Sequence, residues 1–280
     1  MSSVDLMKLI QKNVLSLEPY HVEDNDCEIK LHANENPFPP SKELLDLFSA
    51  SLQKLQLNRY PDPDSKALKD SIANRLDIKT ERLVIGNGSD EIILFLLQVF
   101  CQEGDTIIFP EPTFAMYSII AQSLSIKSAS ISLDSQWNFN ADVLLRSAEE
   151  NNSRIIFLSY PNNPTGNCFS DIQVQKVIES FQGIVVIDEA YHDFARKSFI
   201  NQIEEHNNLV VLRSLSKIGL AALRVGFGVA DPLVINEINK VRLPYNSNTI
   251  SQTFAEHLIT NFEAVQEQVD SIVDERHRLL

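Results

Sequence analysis

The chain has 280 residues, 44% of them hydrophobic and 22% charged, which is typical of a globular protein with one large or two smaller domains. Its net charge of −14 argues against a general binder of nucleic acid or anionic membranes, because such partners would be repelled. Its 3 cysteines form no Cys-x-x-Cys pair, which excludes an evident disulfide framework or zinc site, and no signal peptide or membrane-spanning run is visible, which favours the cytoplasm.

The first 40 residues read as an N-terminal arm. A short helix is predicted over residues 4–15, and a proline-stiffened extended stretch follows over residues 31–40. Ser41 is a suitable N-cap for the next helix, because its hydroxyl can accept a hydrogen bond from a free backbone amide. A further helix is predicted over residues 65–76. We expect the arm to end at residue 40 and the main domain to begin there.

Apolar runs of strand length alternate with helical segments from residue 83 onward. Runs that are apolar on both faces are typical of a mainly parallel sheet covered by helices, so we predict an α/β fold with helices on both faces. The predicted strands are 83–85, 106–109, 125–130, 154–158, 184–187, 209–212 and 225–229. The predicted helices between them are 90–101, 113–123, 141–151 and 171–181.

Sites in such sheets lie at the carboxyl ends of the strands, so the residues that follow each run are the candidates. The first run leads into a glycine-rich turn with Gly88, Ser89 and Asp90 at a helix start, which suits a phosphate or an ordinary N-cap. Phe114 follows the second run and is suited to stacking on a planar ring or to the core. The fourth run ends in a rigid loop with two prolines, two asparagines and a glycine, which would aim an amide side chain.

The later runs end in charged residues. Asp188 follows an apolar run and should be partly buried, which is costly for a carboxylate unless a partner such as a protonated pyridine nitrogen is present. Tyr191 is close enough in sequence to line the same pocket. Lys217 lies between two apolar runs, with hydroxyls and an arginine near it. A desolvated lysine beside phosphate-binding groups indicates pyridoxal phosphate, whereas an isolated surface lysine would indicate nothing.

The last part of the chain is predicted to be helical. Asp231 and Pro232 form a helix start. From residue 248 one long helix is predicted, with an apolar stripe that is most simply core packing. The stripe consists of Phe254, Leu258, Phe262, Val265, Val269 and Ile272.

Taken in order, these motifs resemble the type I fold of pyridoxal-phosphate enzymes, the class-II aminotransferases in particular and most closely the histidinol-phosphate aminotransferases of histidine biosynthesis. The resemblance runs from about residue 17 to the last residue. The matching motifs are Leu17-x-Pro-Tyr20, His32-Ala-Asn-Glu-Asn-Pro37, Asn58-Arg-Tyr-Pro-Asp-Pro63, Gly88-Ser-Asp-Glu91, Pro112-Thr-Phe-x-Met-Tyr117, Pro161-Asn-Asn-Pro-Thr-Gly166, Asp188-Glu-Ala-Tyr191 and Ser214-Leu-Ser-Lys217.

The resemblance implies a role for each candidate residue around the cofactor. Lys217 would bind pyridoxal phosphate as a Schiff base and later act as the general base, with Asp188 paired to the pyridinium nitrogen. Asn163 and Tyr191 would hydrogen-bond the ring O3′, and Phe114 would stack on the ring. The residues implied to hold the cofactor phosphate are Gly88, Ser89, Asp90, Ser214, Ser216 and Arg224.

The resemblance also implies partners. The substrates would be histidinol phosphate and 2-oxoglutarate, exchanged for imidazole acetol phosphate and glutamate. Tyr60 would reach the cofactor of a second subunit in a homodimer, and Tyr20 and Asn34 in the arm would help to close over the substrate.

Two alternatives stay open at the level of sequence. One is a related phosphate-ester amino acid decarboxylase, which shares the fold and several motifs. The other is an inactive cofactor-binding form, since family members continue into a small C-terminal domain with substrate-binding arginines that we expect to be incomplete in this chain. The expected division is therefore an arm over residues 1–40, a cofactor-binding domain over 41–245 and the start of the small domain over 246–280.

Overall fold

A computed structural model of the chain describes residues 4–19 and 28–279, and a seven-stranded sheet lies at the centre of these residues. The strands are β1 Leu83–Asn87, β2 Thr106–Glu111, β3 Lys127–Ser132, β4 Ser153–Ser159, β5 Ile184–Asp188, β6 Leu209–Ser214 and β7 Val225–Val229. The α-helices are α1 Lys12–Leu15, α2 Lys42–Leu52, α3 Lys66–Leu76, α4 Ser89–Phe100, α5 Met116–Ser123, α6 Ala141–Glu150, α7 Asp171–Ser180, α8 His192–Ala195, α9 Pro232–Val241, α10 Thr249–Thr260 and α11 Glu263–Leu279.

The order of the strands across the sheet is β1-β7-β6-β5-β4-β2-β3. Strand β7 is antiparallel to both of its neighbours, and all other neighbouring pairs are parallel. The carboxyl ends of every strand except β7 therefore lie at one edge, and β7 begins at that same edge. The mainly parallel α/β sheet predicted from the sequence is confirmed.

Both faces of the sheet are buried. Consecutive side chains of a strand point to opposite faces, so Ile107 and Ile155 belong to one apolar cluster while Ile108 and Ile156 belong to the other. Helices α4, α5 and α9 cover the first cluster, and α2, α3, α6, α7, α10 and α11 contribute to the second. Each fully buried isoleucine contributes roughly 1.5–3 kcal/mol, which is why these runs form strands without alternating polarity.

The predicted helix over residues 4–15 is wrong as one continuous element. The chain instead forms a 3-10 turn, Leu6–Leu9, and the single turn α1, with Ile10 extended between them. The apolar side chains of this segment, Leu6 and Leu9 among them, are largely exposed. A short helix gains most of its stability from packing, so a segment without a buried face does not hold one long helix.

Three other predicted boundaries move for local reasons. Helix α5 begins at Met116 instead of residue 113, because Thr113 is engaged with the loop after β4. Strand β3 begins at Lys127, because Ser125 has a left-handed backbone with φ of 60°. The predicted long C-terminal helix is two helices, α10 and α11. They are separated at Asn261, whose side-chain amide donates to the His257 carbonyl at 2.8 Å and caps the first of them.

The predicted helix starts are otherwise confirmed. The hydroxyl of Ser41 accepts from the Leu44 amide at 3.2 Å, the carboxylate of Asp231 accepts from the Leu233 amide at 2.9 Å, and Asn248 caps α10. A capping side chain of this kind contributes about 1 kcal/mol.

The last two helices pack on the same core as α2 and α3. Four of the six residues of the predicted stripe are buried, and Phe254 and Ile272 are half-buried. The division at residues 245 and 246 stays a prediction. Within the described ranges, no helix is both long and apolar enough to cross a membrane.

Candidate active site

The sheet topology brings the predicted site residues to one edge. Gly88, Ser89 and Asp90 follow β1, Asn163 follows β4, and Asp188 and Tyr191 lie at the end of β5 and just beyond it. The segment from Ser214 to Arg224 joins β6 to β7, and the paired residues Ser214 and Gly226 fix its two ends. Four segments that are far apart in sequence therefore face one another at the carboxyl edge.

A polar cradle forms where α4 begins beside the β6–β7 connection. The Arg224 guanidinium contacts a carboxylate oxygen of Asp90 at 3.0 Å and the Ser216 hydroxyl at 3.3 Å. Gly88 has φ of 85°, and a Cβ there would lie 2.6 Å from the Arg224 guanidinium. The positive φ favours glycine here, and a larger residue would also displace the Arg224 guanidinium. Free amides at the start of α4 and a nearby guanidinium suit a phosphate, so this cradle fits the phosphate of the cofactor.

The other phosphate candidates lie next to this cradle. The Ser89 amide lies so close to β7 that a Cβ on Gly226 would approach it to 2.3 Å. The Ser216 amide donates to the Ser214 hydroxyl at 3.2 Å, which holds the start of the lysine segment against the end of β6. The structure thus brings all of the predicted phosphate-binding residues into one region.

Asp188 is the carboxylate buried at the centre of the edge. Its side chain accepts hydrogen bonds from the Tyr117 hydroxyl at 2.8 Å and from the Ala190 amide at 3.1 Å, and the residue is 3% exposed. Burial raises the pKa of Asp188 to about 6, although these two hydrogen bonds act in the opposite direction. Among the described residues no cation forms an ion pair with it. A protonated ring nitrogen fits this position, because it would supply the missing charge.

Lys217 lies under the N-terminal arm. Its ammonium group donates to the Ala33 carbonyl at 3.0 Å and lies 5.5 Å from the centre of the Tyr191 ring. The amide of Asn34 donates to the Tyr191 hydroxyl at 3.1 Å. The arm therefore contacts two of the predicted catalytic residues directly, as the sequence motifs lead one to expect for Asn34. Tyr20, the other predicted arm residue, lies outside the described residues.

The arm is also attached to the last helix. The Asn36 amide donates to the side-chain oxygen of Gln268 at 3.0 Å, and the Gln268 amide donates to the Pro39 carbonyl at 2.9 Å. These bonds hold the extended segment across the edge of the sheet.

The two neighbouring asparagines of the β4 loop differ in burial. Asn162 is the buried one, and it bonds Thr113, the Pro112 carbonyl and Thr165 within 3.0 Å. It fixes the shape of the loop. Asn163 is half-buried, and its backbone amide donates to the Ser159 hydroxyl, which places the residue at the carboxyl end of β4.

The two predicted aromatic contacts lie in different settings. Phe114 is half-buried and makes an edge contact with Tyr117, with ring centres 5.5 Å apart. Tyr60 is 80% exposed and stacks on Tyr245 at 4.6 Å instead of joining the cluster around Lys217. An exposed aromatic pair of this kind is available to a second molecule.

Sequence reasoning missed a buried network behind the site. Arg213 donates through two nitrogens to one carboxylate oxygen of Glu189, at 3.1 and 3.0 Å. Ser198 and the Phe199 amide complete the coordination of that carboxylate. Since Glu189 follows Asp188 and Arg213 precedes Ser214, the ion pair ties together the two strand ends that carry the site. The sequence offers only a weak signal for this pair, an acidic residue just after one apolar run and an arginine within the next.

The chain matches known proteins over most of its length. A family model described as aminotransferase class I and II matches residues 27–280. Histidinol-phosphate aminotransferase 2 of Nitrosococcus oceani is 38% identical over 271 residues, which are 96% of this chain and 75% of that protein. The histidinol-phosphate aminotransferase of Flavobacterium johnsoniae is 37% identical over 290 aligned positions, covering 100% of this chain and 78% of that protein.

Solved structures share the fold. The histidinol-phosphate aminotransferase of Sinorhizobium meliloti, in complex with pyridoxal 5′-phosphate, matches with a TM-score of 0.82 and 21% identity over 88% of this chain and 68% of that one. An aspartate aminotransferase mutant of Thermus thermophilus matches with a TM-score of 0.83 and 17% identity over 96% and 76%. The L-threonine-O-3-phosphate decarboxylase of Porphyromonas gingivalis matches with a TM-score of 0.70 and 19% identity over 81% and 71%. With the sequence matches above, the chain belongs to the aminotransferase class I and II family, among the histidinol-phosphate aminotransferases.

Proposed function

We propose that the chain transfers an amino group between histidinol phosphate and 2-oxoglutarate, with pyridoxal phosphate bound to Lys217. The observation that carries this proposal is the meeting, at one sheet edge, of a lysine, a buried carboxylate without a cation and an arginine–glycine phosphate cradle. The identity of 33–38% to curated histidinol-phosphate aminotransferases supports the substrate.

The division of labour follows from the positions of the side chains. When bound, pyridoxal phosphate supplies an electron sink that makes the substrate α-carbon acidic. Arg224 and the amides at the start of α4 would hold its phosphate, and Asp188 would keep its ring nitrogen protonated. Asn163 and Tyr191 would hydrogen-bond its O3′, and Phe114 would pack on the ring. These contacts would orient the ring relative to Lys217.

Lys217 has two successive tasks in this proposal. Its amine would hold the cofactor covalently, and once released by the substrate amine it would act as the general base that takes the proton from the substrate α-carbon. Its hydrogen bond to the Ala33 carbonyl must break before either task, so the Lys217 side chain has to turn away from the arm when the site is loaded. Contact of the arm with Tyr191 would exclude water from the closed site.

We further propose a homodimer in the cytoplasm. The exposed stack of Tyr60 on Tyr245 supports a contact with a second subunit, where Tyr60 would reach the partner's cofactor. The free thiols of Cys101 and Cys168 are consistent with a reducing compartment.

One assay separates the proposed activity from the alternatives. Purified protein with pyridoxal phosphate is supplied in one reaction with histidinol phosphate and 2-oxoglutarate, and glutamate formation is measured. In a parallel reaction it is supplied with a phosphorylated amino acid, and CO2 release is measured. We expect glutamate formation that depends on histidinol phosphate and no CO2. Release of CO2 without glutamate would indicate the decarboxylase. Cofactor binding without either product would indicate an inactive binding form.

A further inference from the structure

Tyr117 is a fully buried tyrosine for which the proposed function gives no role. Its hydroxyl donates to a carboxylate oxygen of Asp188 at 2.8 Å, and the residue is 0% exposed. A buried phenol needs a hydrogen-bond partner, and a buried carboxylate needs donors, so each of the two groups satisfies the other. The contact joins α5, on one face of the sheet, to the end of β5.

The position of the Tyr117 hydroxyl is fixed by its ring. The ring stacks on Phe157 with centres 4.7 Å apart and an interplanar angle of 17°. On another side it meets Phe114 edge-on, with centres 5.5 Å apart and an angle of 85°. A ring held by aromatic neighbours in this way has little freedom to redirect its hydroxyl. Tyr117 therefore contacts both Asp188 and the aromatic side chain proposed to pack on the cofactor.

The charges around Asp188 make this donor important. Asp90 and Glu189 are the acidic groups that face it, and both raise its pKa. Glu189 is paired with Arg213, and Asp90 with Arg224, so neither arginine is free to neutralise Asp188. Within the part of the chain that the structure describes, Tyr117 is the side chain that donates to Asp188, and the Ala190 amide serves the other oxygen.

We propose that Tyr117 is a positioning residue that holds the Asp188 carboxylate, ionised and correctly oriented, for the ring nitrogen of the cofactor. This inference rests on the proposed function. Tyr117 touches neither substrate nor cofactor in it, and acts through Asp188 and Phe114.

The direction of the effect follows from the hydrogen bond. Burial and the neighbouring Asp188 raise the pKa of Tyr117 well above its usual value, so its hydroxyl keeps its proton and acts as a donor. A hydrogen bond to the charged form of a carboxyl lowers its pKa. Loss of the Tyr117 hydroxyl should therefore move the pKa of Asp188 upward from about 6. The protonated carboxyl cannot attract a protonated ring nitrogen. As the pH is lowered, the variant should therefore lose affinity for the cofactor at a higher pH than the wild type does.

The first measurement is made on the cofactor-free full chain. Carbon-13 NMR of labelled aspartate measures the titration of the Asp188 carboxyl and the pH of its midpoint. The variant Asp188→Asn, which lacks this carboxyl, assigns its signal. In Tyr117→Phe we expect the midpoint to rise by about one pH unit, the size of one hydrogen bond to a charged group. Fluorotyrosine at position 117 is a stronger donor in the same ring and should lower the midpoint instead.

The second measurement is the dissociation constant of pyridoxal phosphate against pH. Tyr117→Phe should weaken binding up to about tenfold near pH 5 and by less than about twofold above pH 8, because only the ionised fraction of Asp188 differs. The matched control is Tyr160→Phe, which removes another buried tyrosine hydroxyl that donates to a different carboxylate, Asp171, at 2.5 Å.

The two measurements separate the possible failures. If neither substitution at position 117 moves the Asp188 midpoint beyond the change seen in Tyr160→Phe, the inference is overturned. If the midpoint moves but the wild-type chain does not bind pyridoxal phosphate at all, the proposed function is wrong while the Tyr117–Asp188 coupling stands. If the midpoint moves and cofactor affinity does not follow it, Tyr117 does not position Asp188 for the cofactor.

Discussion

Asp188 is a residue whose burial costs stability when no cofactor is bound. Its pKa is about 6 in the folded chain and near 3.8 in an unfolded one, because burial disfavours the ionised form. The folded state therefore binds more protons between these two pH values. The free energy of unfolding must then fall by about 3 kcal/mol in total as pH rises through these two values. A protonated ring nitrogen would return this energy on binding.

The substitution Asp188→Asn tests this account, because the amide keeps the shape and cannot ionise. In the cofactor-free chain, the variant should equal the wild type in stability near pH 4 and exceed it by up to about 3 kcal/mol at pH 8. Urea unfolding at the two pH values measures the difference. Transamination should nevertheless fall by about a hundredfold or more, because proton transfer loses its electron sink. If the variant is less stable than the wild type at pH 8, burial of the ionised Asp188 carboxylate does not destabilise the folded chain, and the account is contradicted.

For the buried ion pair of Glu189 and Arg213, we predict that removing the carboxylate lowers the free energy of unfolding instead of raising it. Glu189→Gln leaves the Arg213 charge buried without its partner, which should cost about 3 kcal/mol or more in the free energy of unfolding. The control is Lys176→Gln, which breaks the exposed pair of Lys176 and Asp142, where the loss should stay below about 1 kcal/mol. Similar losses from the two substitutions would show that the network does not brace the strand ends.

At the residue scale, the sequence predicts the groups that lie at strand ends and misses the groups behind them. Lys217, Asp188 and Arg224 are recognisable because charged residues beside apolar runs are unusual. Tyr117 and Arg213 are not, because an aromatic residue on a helix and one arginine in an apolar run have ordinary explanations. Their partners lie 71 and 24 residues away in the chain, and only the packed sheet brings them into contact.

At the scale of elements, the close approach of β7 to the start of α4 shapes the phosphate cradle. A Cβ on Gly226 would lie 2.3 Å from the Ser89 amide nitrogen and 2.5 Å from the Gly88 carbonyl carbon, both of them backbone atoms. No side-chain rotation can relieve such a contact. The cradle therefore depends on glycine in a strand as well as on the glycine of the turn.

Gly226→Ala should push the start of α4 away from β7. We expect the affinity for pyridoxal phosphate to fall about tenfold or more and the free energy of unfolding to fall by about 1–3 kcal/mol, as in other overpacked sites. The control on the same strand is Gly228→Ala, whose Cβ would meet only side-chain atoms at 3.2 Å and beyond. Cofactor titration and urea unfolding of the two variants provide the measurement. Equal cofactor affinity in both variants would contradict a cradle built on the approach of Gly226.

Prediction of the elements succeeds where burial alone decides the structure. All of the predicted strands form. Six of them are mostly buried on both faces, whereas the edge strand β3 is largely exposed and is held by its pairing with β2. The boundaries fail where a contact that is distant in sequence takes over, as when Thr113 bonds Asn162 instead of opening a helix. The helix predicted at residues 4–15 fails for the complementary reason, since propensity without a buried face does not hold a continuous helix.

At the scale of the whole molecule, a second subunit is expected to complete the site. Sedimentation of the purified chain should give twice the monomer mass of 31.6 kDa. Tyr60→Ala should then weaken pyridoxal phosphate binding in the dimer, because the proposed phosphate contact comes from the partner. Leu233→Ala, another change at an exposed apolar residue, should leave binding unaltered. A monomer with full cofactor affinity and unchanged binding in Tyr60→Ala would exclude the shared site.

The central claim is that the chain carries pyridoxal phosphate on Lys217, and borohydride reduction tests it most directly. The loaded protein is reduced, digested and searched by mass spectrometry for lysine that bears the reduced cofactor, with Lys217→Ala treated in parallel. The account predicts stoichiometric labelling of Lys217 in the wild type and loss of specific labelling in the variant. Labelling of another lysine, or equal labelling of the wild type and Lys217→Ala, would contradict it.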